Sequence, residues 1–272
     1  MKTISSVTIP KREQESHKGD YGRILLIGGN ANLGGAIILA ARACVFSGSG
    51  LITVSTHSSN FAALHSRCPE AMVSDITDLK KLSKLIEQSD CILIGPGLGL
   101  DFKGNNTLTF LFQNIQPHQT LIIDGDAITI LSKLKHTLPE CEIIFTPHQK
   151  EWERLSNIPI EEQTYENNKE AVDALKATVV LKKHGTELFF KDHEYKLSIG
   201  TPAMATGGMG DTLAGMITSF VGQFDLEEAV INATYIHSYI GEKLSKDMYI
   251  VPPSKLIDEI PYAMKSFEAL SN

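Results

Sequence analysis

The sequence lacks most of the features that mark secreted, membrane-spanning and zinc-binding proteins. Its four cysteines lie far apart and form no CxxC pair, which argues against a zinc site and against a dense disulfide framework. The first residues contain no apolar signal segment, and no apolar run reaches the roughly 18 residues of a membrane span. These absences predict a soluble, cytoplasmic protein with reduced thiols and no membrane contact.

Positive charge is also scarce. The chain has 25 Lys and Arg residues against 32 Asp and Glu residues, a formal net charge of -7, and no block of basic residues, which argues against a nucleic-acid partner. Hydrophobic residues make up 42% of the chain, enough for a sizeable core. The 272 residues show no internal repeat, low-complexity tract or linker, so we predict one domain over residues 1–272.

The apolar segments alternate between short β-rich runs and helical stretches. This alternation predicts a layered α/β fold with a mostly parallel central sheet and helices on both faces. Several runs are apolar at consecutive positions, as is typical of strands buried on both faces. The predicted strands are RILLI, LITVST, CILIG, TLIID, IIFTP and TVVLKK, followed by a hairpin of ELFF and EYKLSI; the first predicted helix, GGAIILAARACVFS, is apolar nearly all round.

Two glycine-rich turns follow predicted strands, where an open α/β sheet forms its ligand crevice. In Ile27–Ala36 the spacing of a P-loop is present, but Gly35 and Ala36 occupy the places of its Lys and Ser/Thr, and the Rossmann spacing also fails. In Ile94–Leu100, Gly97 and Gly99 allow a sharp bend. For both turns a purely structural role and close approach to a ligand remain open.

A third glycine-rich segment, Gly200–Ile217, runs into a helix. Gly207, Gly208 and Gly210 leave backbone amides exposed near the helix N-terminus, an arrangement that attracts phosphate. Asp211 follows directly. It is either an N-cap residue or a base that takes a proton from an attacking hydroxyl, because a carboxylate with no chemical task would repel the anion.

Three further segments end predicted strands. Lys182–His184 precede a Gly-Thr turn, as solvated lysines or as a nucleotide-phosphate site. His148 follows a Thr-Pro pair. It is a stronger candidate for a site residue than an isolated histidine, because it is predicted to lie at the same sheet edge as the glycine-rich turns. In DGDAI, Asp126 is predicted to cap a helix, while Asp124 is predicted to face the crevice.

Taken together, these motifs resemble one family. The segments KGDYGRILLIGG, IGPGLG, DGDAI, FTPHQKE, LKKHGT and GTPAMATGGMGDTLAGMI resemble, in order and approximate spacing, those of the nucleotide-dependent NAD(P)H-hydrate dehydratases of the ribokinase-like superfamily. The resemblance runs from about Lys18 to beyond Gly222 and implies the stand-alone dehydratase form, because no epimerase-like domain precedes it.

The resemblance implies an enzyme that restores hydrated NADH and NADPH to the working coenzymes. Phosphorylating the C6 hydroxyl of the hydrate gives a good leaving group, since the second pKa of a phosphate is about 6. Elimination assisted by the ring nitrogen then regenerates the dihydropyridine. Two alternatives remain: a ribokinase-like small-molecule kinase that releases a stable phosphate ester, and a non-catalytic nucleotide sensor.

The same resemblance implies site residues and partners. Asp211 is expected to be the catalytic base and to contact the hydrate. Mg²⁺ is expected to accompany ADP or ATP, without a dedicated metal cage. A separate epimerase is the expected pathway partner and a homotetramer the expected assembly. The expected nucleotide-binding residues are Lys182, Lys183, His184, Gly185, Thr186, Gly207, Gly208 and Gly210, and the expected hydrate-binding residues are Ala36, Gly97, Gly99, His148 and Asp211.

Overall fold

A sheet of ten strands runs through the part of the chain that the computed structural model describes, residues 1–134 and 137–269. Its spatial order is β1-β10-β9-β8-β7-β6-β5-β2-β3-β4. The strands are β1 (Lys2–Ile4), β2 (Arg23–Ile27), β3 (Leu51–Thr56), β4 (Met72–Asp75), β5 (Cys91–Ile94), β6 (Thr120–Ile123), β7 (Glu142–Phe145), β8 (Thr178–Leu181), β9 (Glu187–Phe189) and β10 (Glu194–Leu197).

The seven strands from β8 to β4 pair in parallel, so their carboxyl ends lie along one edge. The predicted hairpin is confirmed: β9 and β10 pair antiparallel, with Glu194 opposite Phe189. The chain order reverses between β2 and β5, because β3 and β4 lie on one side of β2 and the later strands on the other. Open α/β sheets bind ligands at such a reversal.

Helices cover both faces of this sheet, which confirms the predicted α/β architecture. Alternate strand residues enter two cores: Leu26 and Val180 pack on one face, Leu25 and Val179 on the other. The helices are α1 (Gly34–Phe46), α2 (Phe61–Arg67), α3 (Leu79–Glu87), α4 (Phe102–Asn114), α5 (Gly125–Lys133), α6 (Gln149–Ser156), α7 (Tyr165–Leu175), α8 (Met209–Val221), α9 (Leu226–Ser245) and α10 (Pro253–Ser266).

Helix α1 is the buried packing helix that its apolar sequence predicts. It lies so close to α8 that a side chain on Gly215 would collide with the Ala40 carbonyl oxygen. Its one charged residue, Arg42, donates to the Asp258 carboxylate of α10 at 2.8 Å. Helices α1, α8 and α10 therefore form one layer. The glycine-rich segment leads into the N-terminus of α8, so it lies at the end of this layer.

Four elements were not predicted from the sequence: β1, β4, α2 and α4. Helix α4 reads FKGNNTLTFLFQN, whose Gly, Asn and Thr residues disfavour a helix. It forms because Asp101 caps it through the Gly104 amide at 3.0 Å and because Leu108 and Leu111 are completely buried. Over the described residues, none of the helices combines the length and apolar character that crossing a bilayer requires.

Candidate active site

The loops that follow the parallel strands meet at the carboxyl edge of the sheet. The turns after β2 and β5 are tied together, because Gly29 donates its amide to the Pro96 carbonyl at 2.8 Å and Asn30 donates to that of Gly97 at 2.7 Å. The ends of β7 and β8 are likewise joined, by a bridge between His148 and Lys182. Motifs that lie far apart in the sequence are therefore neighbours in space.

The first turn region contains the expected hydrate residues Ala36, Gly97 and Gly99. Gly97 has φ +59° and Gly99 has φ +91°, conformations that favour glycine. A Cβ on Gly97 would collide with the Leu33 carbonyl and lie 3.2 Å from the Ala36 Cβ. The backbone thus packs tightly here, and the half-buried Ala36 and Gly97 are neighbours at the carboxyl edge of the sheet, where an open α/β sheet forms its ligand crevice.

Helix α5 starts beside this crevice. The prediction that Asp126 is its N-cap is wrong: the N-cap is Asp124, and Asp126 is the second helical residue. The Asp126 carboxylate instead accepts the Gly99 amide at 2.8 Å and so holds the β5 turn in place. The sequence alone did not place Asp126 in this role, because its partner lies in another motif.

The third glycine-rich segment forms the N-terminus of α8. Gly208 is the N-cap with φ 92°, so Asp211 is the third helical residue and the N-cap interpretation of Asp211 is wrong. A Cβ on Gly207 would meet no atom within 4 Å, which leaves open space in front of the turn. A Cβ on Gly210 would lie 3.0 Å from Lys182 Nζ. Lys182 therefore approaches the first turn of α8 closely.

Asp211 is half-buried. The pKa of its carboxyl is raised to about 6, chiefly by burial and also by the negative charges of Asp124 and Asp126, against the opposing charge of Lys182. Such a carboxylate is mostly ionised at neutral pH, yet it is more basic than an exposed aspartate.

Lys182 is ion-paired rather than free. Its Nζ lies 2.9 Å from Asp124 Oδ1, the same oxygen to which Thr146 donates at 2.7 Å. The Asp124 side chain is only 3% exposed, so it faces Lys182 and not the crevice as predicted. Burial alone would lower the pKa of Lys182, but Asp124, Glu151 and Asp211 hold it above its ordinary value. The ammonium therefore stays charged beside α8.

A cavity of about 800 Å³ lies between the end of β8, the start of α8 and helix α9. Its volume is in the range of nucleotide and cofactor sites. The Lys183 ammonium at its wall pairs with Glu187 at 2.6 Å. The cavity brings together Lys182, Lys183, His184, Gly185, Thr186 and Gly210 with His148; among its lining residues Gly207, Gly208, Ala36, Gly97 and Gly99 do not appear.

His148 is the N-cap of α6 and lines the cavity. Its Nδ1 accepts the amides of Lys150 at 3.1 Å and Glu151 at 3.2 Å. Glu151, which sequence reasoning did not select, is 7% exposed and accepts the His148 amide at 2.8 Å. Burial raises the pKa of the Glu151 carboxyl to about 7. A His with Glu three residues later is the signal that would have revealed this capping box.

His237 of α9 also lines the cavity and was not predicted. It is 5% exposed, and burial lowers the pKa of its imidazole to about 4, so it is neutral. The backbone of Met209, in the first turn of α8, opposes this lowering of the pKa.

The residues at this edge do not form a metal cage. Within residues 1–134 and 137–269, no group of three or more His, Cys, Asp or Glu side chains is placed to hold an ion. Asp124 and Asp126 are engaged by Lys182 and the Gly99 amide. Mg²⁺ usually keeps few protein ligands and binds substrate phosphates.

Comparison with known proteins gives concordant similarities. A family model described as NAD(P)H-hydrate dehydratase matches residues 24–262. The chain is 77% identical to the ADP-dependent (S)-NAD(P)H-hydrate dehydratase of Staphylococcus aureus over 99% of this chain and 98% of that protein.

Two solved structures share the fold. A ribokinase-like superfamily protein from Enterococcus faecalis superposes with a TM-score of 0.94 at 46% identity, covering 96% of this chain and 93% of that one. A Bacillus subtilis ADP/ATP-dependent NAD(P)H-hydrate dehydratase, co-crystallised with ATP and Mg²⁺, superposes with a TM-score of 0.86 at 31% identity, covering 96% and 95%. The fold is therefore ribokinase-like.

Proposed function

This chain belongs to the NAD(P)H-hydrate dehydratase family, and from that premise we propose that it is a hydro-lyase that converts (6S)-hydrated NADH and NADPH to NADH and NADPH with an adenine nucleotide as phosphoryl donor. The similarity to the ADP-dependent Staphylococcus aureus enzyme favours ADP as the donor.

The reaction has two steps. In the first, the oxygen of the C6 hydroxyl attacks the terminal phosphorus of ADP, its proton passes to a base, and AMP leaves. In the second, the lone pair of the ring nitrogen expels the phosphate, a proton leaves C5, and the ring double bond of NADH forms. The products are the reduced coenzyme, AMP and inorganic phosphate.

The position of Asp211 carries this proposal. It lies one residue after Gly210, which lines the nucleotide-sized cavity, and its charge environment includes Asp126, which holds the Gly99 turn of the hydrate crevice. A carboxylate that follows a cavity residue and lies within the charge environment of Asp126, with a pKa of about 6, suits a base that accepts the hydroxyl proton.

The surrounding residues bind and orient the two substrates. We assign the nucleotide to the cavity formed by Lys182–Thr186 and Gly210, and the transferring phosphoryl group to the amides of Gly207–Gly210. These amides lie at a helix N-terminus, where a developing negative charge is stabilised. We assign the hydrate to Ala36, Gly97, Gly99, His148 and Asp211.

The remaining parts of the proposal concern partners and setting. We propose that Mg²⁺ arrives on the nucleotide phosphates, that a separate epimerase supplies the (6S) hydrate, and that the protein is a homotetramer formed of single-domain chains. The four cysteines are free and mostly buried, which suits a reducing cytoplasm.

One assay tests the proposal. Purified protein is mixed with hydrated NADH, Mg²⁺ and either ADP or ATP, while NADH absorbance and AMP or ADP release are followed. We expect NADH and the cleaved nucleotide to appear in equal amounts, and faster with ADP. A stable phosphate ester without NADH would indicate a kinase, and nucleotide binding without turnover would indicate a sensor.

The Asp211→Asn variant tests the base, with Asp192→Asn, an exposed change in the β9–β10 turn, as its matched control. We expect the first to lose at least about a hundredfold in kcat, as removal of a general base does, and the second to keep its activity. Undiminished turnover by Asp211→Asn would refute the assignment.

A further inference from the structure

The hydrogen bonds around His148 determine where its ring carries a proton. Nδ1 accepts two backbone amides, those of Lys150 and Glu151. Because a backbone amide can only donate, Nδ1 has no proton. A neutral imidazole with a bare Nδ1 carries its proton on Nε2.

The charged form of the ring is disfavoured in the same place. A proton on Nδ1 would face two N–H groups and the positive end of the α6 dipole. Burial lowers the pKa of His148, and the Lys182 charge lowers it further. Asp124, at the end of β6, acts in the opposite direction, and Arg154 of α6 adds to the lowering. The ring is therefore neutral near pH 7.

Glu151 contacts both the backbone and the ring of His148. One of its carboxylate oxygens accepts the His148 amide at 2.8 Å, and the other lies 3.5 Å from Nε2. The Glu151 side chain is 9% exposed, whereas that of His148 is 54% exposed. A buried carboxylate thus supports a ring whose other side lines the cavity.

From this geometry we propose that the first turn of α6 fixes His148 as a neutral Nε2–H donor to an acceptor oxygen of the hydrate, and that Glu151 is the positioning residue that keeps it so. The inference rests on the proposed function, because it takes the hydrate as the ligand. Under this proposal His148 and Asp211 have different roles. His148 donates a hydrogen bond to the hydrate and accepts no proton, and Asp211 is the base that accepts the hydroxyl proton.

The tautomer is tested in the ligand-free protein. Nitrogen-15 NMR of histidine-labelled protein near neutral pH should show one ring, absent from His148→Asn, with a bare Nδ1 and a protonated Nε2. A protonated Nδ1 on that ring would overturn the proposal. This measurement does not depend on catalysis.

The roles of the two residues are tested by substitutions that keep the helix cap. Asn is a good N-cap residue but places no donor at the Nε2 position. We therefore expect His148→Asn to raise the KM for the hydrate about tenfold, the loss of one good hydrogen bond, and to leave the KM for ADP unchanged.

Gln serves a capping box as well as Glu does. Glu151→Gln should therefore keep the melting temperature, but it would replace the carboxylate oxygen 3.5 Å from Nε2 by an amide N–H group, which no longer favours the ring orientation electrostatically. We expect its hydrate KM to rise about fivefold, within the range of one net hydrogen bond. The matched control is Glu153→Gln, which removes the exposed ion pair with Lys150 on the same helix. A hydrate KM in Glu151→Gln equal to that of the control would mean that Glu151 only caps the helix.

Two further arms complete the experiment. The first uses the hydrate of reduced nicotinamide mononucleotide as substrate. If His148→Asn still raises the KM, the acceptor oxygen lies in the nicotinamide half of the hydrate. If the KM no longer rises, the acceptor lies in the diphosphate or adenosine half. Wild-type protein without any hydrate turnover would refute the proposed function, whereas turnover with no KM effect in either variant would refute this inference alone.

Discussion

At the scale of single residues, the candidate site contains a carboxyl group, that of Asp211, whose ionised form is disfavoured by its burial in the fold. The pKa of Asp211 rises from 3.8 to about 6, chiefly because the side chain is buried. The folded state therefore disfavours the ionised carboxylate, which is the form that the proposed base requires. Stability and activity are expected to respond in opposite ways to changes at this residue.

The pH dependence of activity should report this carboxyl. Because the base must be ionised, kcat/KM for the hydrate should increase with pH up to about pH 6 and level off above it. The measurement is initial rate at low hydrate concentration between pH 4.5 and 8, with stability checked at each pH. A profile that is already level at about pH 4.5 would contradict a raised pKa at the base.

The Asp211→Asn variant should be much less active and more stable. A raised carboxyl pKa contributes nothing well below pH 3.8, where the carboxyl is protonated in both states, and its destabilisation of the folded state is complete only above the folded-state pKa of about 6. At about 1.36 kcal/mol per pKa unit, and allowing for partial exposure, we expect a gain of about 1–2 kcal/mol at pH 7.5 and a much smaller gain at pH 4. Thermal unfolding at the two pH values checks this, and a less stable variant at pH 7.5 would contradict it.

Lys182 and Asp124 act as a buried pair. Lys182→Met alone leaves a carboxylate that is 3% exposed without its counter-charge, which typically costs about 3–5 kcal/mol. Adding Asp124→Asn should restore most of that stability. In both variants the affinity for ADP should fall more, relative to the wild-type protein, than the affinity for the hydrate. Titration calorimetry with each ligand measures the two losses. Wild-type affinity for ADP in the double variant would show that Lys182 does not contribute to nucleotide binding.

The contact between Lys182 and Asp124 could not be predicted from the sequence. The partners are 58 residues apart, and each motif alone fits an ordinary local role. Lys182 resembles a surface lysine and Asp124 a strand-end aspartate. Only the parallel pairing of β6, β7 and β8 brings the two side chains together.

At the scale of elements, the strands and helices with strong apolar patterns were predictable, and those stabilised by tertiary contacts were not. The β2, β5 and β6 runs are apolar at nearly every position because both faces of the sheet are covered. Helix α4 has poor propensity and exists because its cap and two buried leucines compensate. Its sequence alone resembles a loop.

The contact between α1 and α8 should tolerate no added atoms. A Cβ on Gly215 would collide with the Ala40 carbonyl, whereas a Cβ on Gly35 of α1 would meet nothing within 4 Å. We expect Gly215→Ala to destabilise the protein by about 1–3 kcal/mol through overpacking. Gly35→Ala, the control, should be neutral or stabilise it by up to about 1 kcal/mol. Chemical denaturation measures both, and equal effects would contradict this packing account.

At the scale of the whole molecule, the candidate site is assembled from segments spread over most of the chain. The crevice that we propose for the hydrate is formed by the turns after β2 and β5, and the cavity that we propose for the nucleotide is formed by the end of β8 with α8 and α9. Asp126 links them, because it holds the Gly99 turn and its charge reaches Asp211. The resemblance of the motifs predicted a set of site residues, of which Lys182–Thr186, Gly210 and His148 line one cavity. The order of strands in the sheet explains why those residues meet.

The central claim is that the C6 hydroxyl is phosphorylated before it leaves, and isotope transfer tests it most directly. Hydrated NADH prepared in ¹⁸O-labelled water carries the label on C6, and turnover in unlabelled water with ADP is followed by mass spectrometry of the inorganic phosphate. We expect one labelled oxygen in each phosphate released. Unlabelled phosphate, with the label lost to water, would contradict it.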